Sequence, residues 1–207
     1  MKFHFSALAL LAVLAAPAAA ATLADVERAL AATTTMTADF TQKAAGGQVA
    51  RGTMKLKRPG RIRFDYAART PYLVVADGRT LSFVDYQVAQ VSQWPIRSTP
   101  LGVLLDPKAD LARIARVLPE ADSPLPGQVA VLAEDPKKPD LGRITFFLAP
   151  DPTAPGGLRL TGWRVIDAQN NLTTVELANV RTNMDLPDSG FSFRDPRRKA
   201  VPPGRPG

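Results

Sequence analysis

The chain has 207 residues, 26 Lys and Arg against 19 Asp and Glu, a formal net charge of +7, one histidine and no cysteine. Lys2 and that histidine, His4, precede an apolar run from Ala7 to Ala16, closed by Pro17 and the small residues Ala18 to Ala21. This pattern reads as a secretory signal peptide over 1–21, cleaved near Ala20 or Ala21. Its core is too short to span about 30 Å of hydrocarbon as a helix. The remaining chain, without His or Cys, excludes Ser-His-Asp and Cys-His catalysis, the common zinc sites, disulfides and a lipobox anchor.

The elements follow in order. Thr22 to Ala32 reads as a helix, with Leu23, Val26 and Leu30 on one face and Thr22 with Asp25 resembling a capping box. Period-two patterning then takes over. Strands are expected at Thr37–Lys43, Val49–Arg58, Arg61–Ala67, Tyr72–Ala76, Leu81–Tyr86 and Val88–Trp94, with turns at Gly46-Gly47, Pro59-Gly60 and Asp77-Gly78. Ser98, Thr99 and Pro100 read as a helix start leading into Leu101, Leu104 and Leu105, and Leu111, Ile114 and Leu118 as a second short helix. Strands resume at Val129–Ala133, Arg143–Ala149, Leu158–Asp167 and Leu172–Val180, and Phe191 with Phe193 suggests a last short one.

About ten antiparallel strands with a few helices on one side define an α+β fold. A sheet of that size must curl, and curling around the helices gives an unclosed half-barrel lidded by short helices. One domain is expected over 22–195, followed by a basic, proline-rich, disordered tail over 196–207. No nucleotide-binding or hydrolase motif is present, and Asp65, Asp77 and Asp85 occupy strand or turn positions. No catalytic residue, metal site or cofactor is therefore expected, and the protein reads as a non-enzyme. The basic balance suits anionic headgroups or acidic partner surfaces as well as it suits simple solubility, and nucleic acid is not an expected partner.

One residue stands out in the second strand. Arg58 shares its parity with Met54 and Leu56, so a regular strand points it inward among apolar side chains. An inward guanidinium needs acceptors, which helix C-terminal carbonyls supply. The alternative is that Arg58, next to Pro59, sits at the strand edge and reaches solvent.

Phe40-Thr41-Gln42-Lys43, Gly52 through Arg58-Pro59, Val75 through Leu81, Thr99-Pro100-Leu101 and Phe191-Ser192-Phe193 occur in an order that resembles the LolA family of periplasmic lipoprotein carriers. The resemblance covers nearly all of residues 22–195. It implies a cavity that takes the acyl chains of triacylated lipoproteins from an inner-membrane ABC transporter. The cargo then goes to an outer-membrane acceptor or to the outer membrane itself. A monomer is expected, because an exposed apolar mouth must avoid self-association. The resemblance further implies that Arg58 latches the lid onto backbone around Leu104 and Leu105. Acyl-chain contacts are expected from Met54, Leu56, Ile62, Phe64, Tyr66, Leu101, Leu104, Leu105, Ile144, Phe146 and Leu148. Ile62, where an aromatic is usual, and the basic tail depart from the family pattern. A lipoprotein sensor, a small-molecule binder or an enzyme on the same fold are the rival readings.

Overall fold

The computed structural model describes residues 21–67, 70–99, 101–105 and 110–197. The expected signal peptide and most of the expected tail lie outside these residues. Eleven strands form one antiparallel sheet. In chain order they are β1 (Thr35–Lys43), β2 (Val49–Lys57), β3 (Arg61–Tyr66), β4 (Tyr72–Asp77), β5 (Thr80–Asp85), β6 (Gln90–Pro95), β7 (Ala115–Val117), β8 (Val129–Glu134), β9 (Arg143–Pro150), β10 (Leu158–Ile166) and β11 (Leu172–Thr182). The helices are α1 (Leu23–Ala32), α2 (Gly102–Leu105) and α3 (Leu111–Ile114).

The spatial order is β6-β5-β4-β3-β2-β1-β11-β10-β9-β8-β7. Two meanders, β1 to β6 and β7 to β11, are thus joined through the β1·β11 pair, and β6 and β7 are the free edges. The link from β6 to β7 must cross from one edge to the other, and it carries α2 and α3. Leu105 places α2 on the concave side, where it joins the core.

Alternation sorts the side chains. Met36, Ala38, Phe40, Met54, Leu56, Ile62 and Phe64 face the concave side with Ile144, Phe146, Leu148, Trp163 and Val175, and α1 adds Val26 and Ala29 to the same core. The capping box expected at Thr22 is present: Asp25 Oδ2 accepts from the Thr22 N–H at 2.8 Å and Thr22 Oγ1 accepts from the Asp25 N–H at 3.3 Å. Helix α1 lies close on the β9–β10 turn, where a Cβ on Gly156 would come within 2.6 Å of Ala29 Cα.

The convex face carries a second, smaller core. Leu73, Val75 and Val84 are covered there by Phe191, with Leu186 and Phe193 beside it. The segment after β11 runs across this face as a strap. Its ties are Thr35 Oγ1 to the Met184 carbonyl (2.6 Å), Lys57 Nζ to the Leu186 carbonyl (2.6 Å) and Arg63 Nη1 to the Ser192 carbonyl (2.6 Å). Lys57 and Arg61 also form ion pairs with Asp188 at 2.7 and 3.3 Å.

Several expectations need correction. Leu118 is not helical: α3 stops at Ile114, and Ala115–Val117 pair with β8, with the Leu118 N–H still bonding the Ala130 carbonyl at 2.8 Å. Three apolar residues at helical spacing are outvoted by a free sheet edge that gains a partner. Phe191 belongs to a 3-10 turn over Asp188–Phe191, and Phe193 to no regular element, because their rings are spent covering the convex core. The expected helix at Ser98 divides into a 3-10 turn at Ile96–Ser98 and α2. Val88 lies in the β5–β6 turn, ahead of β6.

Candidate acyl-chain site on the concave face

The concave face is an apolar lattice built from cross-strand neighbours. Met54 pairs with Phe64 and Ala38, Leu56 with Ile62 and Met36, and Trp163 with Phe146 and Val175. Phe40 stands edge-on to both Phe64 (5.3 Å) and Tyr66 (5.2 Å), and Phe64 reaches Trp163 at 6.1 Å. Gly52 makes room for this cluster, since a Cβ there would collide with the Asp65 carbonyl and lie 2.8 Å from Phe40 Cε1.

The structure brings Met54, Leu56, Ile62, Phe64, Leu105, Ile144, Phe146 and Leu148 together as buried members of one cluster, with Tyr66 and Leu101 packed against it, half-buried. The Tyr66 hydroxyl, pushed up in pKa by burial, donates to Gln42 Oε1 at 2.9 Å. Leu104 lies in α2, and its side chain falls outside the described residues.

Among the described residues, the space beside Arg58 and α1 is small. The enclosed space lined by Met36, Leu56, Arg58, Leu148, Leu158 and Leu160 amounts to about 20 Å³. That is room for about one water molecule. Val26 and Ala29 of α1 and Leu105 of α2 pack into the concave cluster.

Arg58 lies at one end of this space. Its Nε donates to the Thr33 carbonyl at 3.0 Å, and burial lowers its pKa, although a guanidinium stays charged at any working pH. Helix α1 has no basic residue in its last turn and no glycine cap. Its terminal carbonyls are satisfied from the sheet: Asn183 Nδ2 bonds the Ala32 carbonyl at 3.0 Å, and Arg58 takes Thr33. The guanidinium also places positive charge at the negative end of the helix. The solvent-edge alternative for Arg58 is overturned. The acceptor is a correction too, being at α1 and not at Leu104 or Leu105. The Leu105 carbonyl instead accepts from the Gly60 N–H at 3.0 Å, so the lid touches the Arg58-Pro59-Gly60 turn through backbone.

Further apolar residues share the concave face without figuring among the expected contacts. Val74 and Tyr72 on β4, Leu81 and Phe83 on β5 and Trp94 on β6 share the parity of Ala76, and the Tyr72 and Phe83 rings are 5.4 Å apart. Trp94 is 46% exposed. The alternation of these strands carried the signal, since Tyr72, Val74 and Ala76 are spaced by two. Among the described residues there is no group of three or more His, Cys, Asp or Glu side chains that would hold a metal ion. No helix there is long and apolar enough to cross a membrane.

An unclosed antiparallel half-barrel, apolar on its concave face and covered by short helices, is the architecture of a lipoprotein-carrier class. The profile of the family described as outer membrane lipoprotein carrier protein LolA matches residues 31–194. The chain is 30% identical over 198 residues to an outer-membrane lipoprotein carrier protein of Chromobacterium violaceum, covering 93% of this chain and 92% of that one. It is 31% identical over 207 residues to the like-named protein of Bordetella avium, covering 93% of each. A solved LolA superfamily protein from Nitrosomonas europaea aligns with a TM-score of 0.45 at 13% identity, covering 84% of this chain and 99% of that one. The chain belongs to the LolA family.

Proposed function

We propose that this protein carries triacylated lipoproteins across the periplasm, holding their acyl chains against the concave face. The supporting observation is that this face carries one continuous apolar cluster, covered among the described residues by α1 and by the link that carries α2 and α3. That cover is replaceable. Acyl chains offer the same apolar contacts as the helices, so a ligand can select a form in which the helices have moved aside. Burial of apolar chain area at roughly 25 cal/mol per Å² supplies the drive, and displacing the helices sets the opposing cost that permits release. In this reading Arg58 holds the closed form by anchoring the end of α1. Met54, Leu56, Ile62, Phe64, Tyr66, Leu101, Leu104, Leu105, Ile144, Phe146 and Leu148 contact the cargo. The inner-membrane ABC transporter is the donor, and the protein acts in the periplasm after loss of residues 1–21. No reaction is assigned to it.

The test is displacement. An apolar fluorescent probe should bind the purified protein lacking residues 1–21, and a triacylated lipopeptide should displace it in a saturable way. A deacylated peptide of the same sequence should not. Displacement by both peptides, or by neither, overturns the reading.

A further inference from the structure

The turns at the two ends of the half-barrel differ. One end carries the β2–β3 and β4–β5 turns, the Arg58–Thr33 contact and α2. The opposite end carries, in spatial order, the β5–β6 turn, the β3–β4 loop, the β1–β2 turn, the β10–β11 turn and the β8–β9 loop. Six large apolar residues are exposed among the described residues, and five of them lie at this second end: Tyr86 (43%), Val88 (64%), Tyr72 (39%), Val49 (51%) and Leu172 (41%). They fall on four neighbouring turns, so they form one rim.

Turn chemistry does not account for them. The β5–β6 turn reads Tyr86-Gln87-Val88-Ala89, without Gly, Asn or Asp, and holds Ala89 at φ 53°. An L residue with a side chain is disfavoured in that region, where Gly or Asn is the usual choice. Folding would be served better by polar residues here.

The rim carries both signs, with bases in excess among the side chains outside ion pairs. Lys43, Arg51, Lys137, Lys138 and Arg143 are exposed on these turns and their flanking residues, and no ion pair joins them within the described residues. Of the acids nearby, two are offset by arginines and two keep their charge while holding their own turns. Asp85 accepts from the Gln87 N–H at 2.8 Å and Asp167 from the Asn171 N–H at 2.8 Å, each holding its own turn. Glu134 pairs with Arg116 and Asp135 with Arg113, both at 3.3 Å. Asp140 is the remaining carboxylate of these turns.

Exposed Tyr, Val and Leu among unpaired Lys and Arg match the chemistry of a bilayer surface: apolar tips enter the headgroup boundary while cations meet anionic headgroups. We propose that this rim docks the protein on an anionic lipid bilayer. The inference rests on the carrier reading, since it places the bilayer at one end of the trough, where Tyr72 and Phe83 continue the apolar concave face from the rim inward. It gives the carrier a direct contact with the membrane it serves.

Flotation with protein-free vesicles tests this, using the protein without residues 1–21. Vesicles of equal phosphatidylcholine and phosphatidylglycerol should carry the protein upward, pure phosphatidylcholine much less, and added salt should weaken the association. The double variant Tyr86→Ser/Val88→Asp and the double variant Lys137→Glu/Lys138→Glu should each lower partitioning by about tenfold or more. Both sets are solvent-exposed, and each should leave displacement of the apolar probe by the lipopeptide unchanged. Absence of flotation, flotation untouched by either variant, or flotation only with vesicles that contain outer-membrane proteins overturns the docking proposal. Loss of lipopeptide displacement in the unmodified protein would instead overturn the carrier reading, so the two failures are distinguishable.

Discussion

Lys57 and Arg58 are chain neighbours that brace opposite faces of the sheet. Lys57 reaches the convex side, where its Nζ bonds the Leu186 carbonyl at 2.6 Å and pairs with Asp188 at 2.7 Å. Arg58 reaches the concave side and bonds the Thr33 carbonyl at 3.0 Å. One strand end thus fastens the C-terminal strap outside and the first helix inside. Strand alternation makes this double use possible.

The Arg58 contact predicts a functional lesion without unfolding. Arg58→Leu leaves the Thr33 carbonyl unpaired, a cost of about 1–3 kcal/mol, and offsets part of it by removing a buried charge and adding apolar packing. The protein should remain folded by circular dichroism. The end of α1 should be freer, so the apolar probe should bind more tightly and lipopeptide should leave more slowly in a transfer assay. Transfer kinetics equal to those of the unmodified protein would show that Arg58 does not govern closure.

The strap makes a separate claim on stability. Phe191 is 4% exposed and caps the convex core of Leu73, Val75 and Val84. Phe191→Ala should cost about 3 kcal/mol in denaturant unfolding. The concave face lies on the other side of the sheet, so probe affinity should hold at temperatures where the variant is still folded. A loss below about 1 kcal/mol would mean that the strap packs only loosely.

The elements above also show what the sequence could and could not disclose. The meander strands were legible because alternation, as in Arg61-Ile62-Arg63-Phe64, is a local signal. The inward placement of Arg58 followed from the same parity. Its acceptor did not, because which helix end arrives beside β2 is decided by tertiary packing, 25 residues away in sequence. Phe191 and Phe193 look like strand residues in isolation, and only the apolar convex patch of β4 and β5 explains where they go. The packing of α1 onto the concave face was equally hidden, since Val26 and Ala29 give no sign of which surface they cover.

Acid should be the chain's weak direction. Asp25 is held at about 2 by its hydrogen bonds with Thr22 and then Arg28, and Asp151 at about 2 by Thr153 and then Arg159. Asp188 is lowered by Lys57, and Asp135 by Arg113. A carboxyl whose folded pKa lies below its unfolded value stabilises the fold fully above the unfolded value, about 4 for Asp, and loses that contribution as pH falls through the folded value. The described residues contain no histidine to titrate between. The melting temperature should therefore be flat from about pH 5 to 8 and fall between about pH 4 and 2. A fall already evident on going from pH 7 to 5 would contradict this assignment.

The Gly52 position predicts a packing defect on the concave face. Gly52→Ala drives a methyl group toward the Asp65 carbonyl and the Phe40 ring, which is itself fixed between Phe64 and Tyr66. Backbone cannot yield as a flexible side chain can, so the variant should lose about 2 kcal/mol or more in chemical denaturation. A neutral result would mean that β2 and β3 are farther apart at this register than the pairing of Gly52 with Tyr66 implies.

The two tryptophans make ligand entry directly visible. Trp163 is 2% exposed within the core, whereas Trp94 is 46% exposed on edge strand β6, facing the concave side opposite Leu81. An acyl chain lying on β4 to β6 would dry Trp94 and leave the already dry Trp163 unchanged. Binding should then shift the emission to shorter wavelength, and Trp94→Phe should abolish the shift while saturable displacement of the extrinsic probe persists. If the unmodified protein binds lipopeptide with no change in emission, the chains must lie under α1, along Met36, Leu148 and Leu160, and the trough has to be filled from that side.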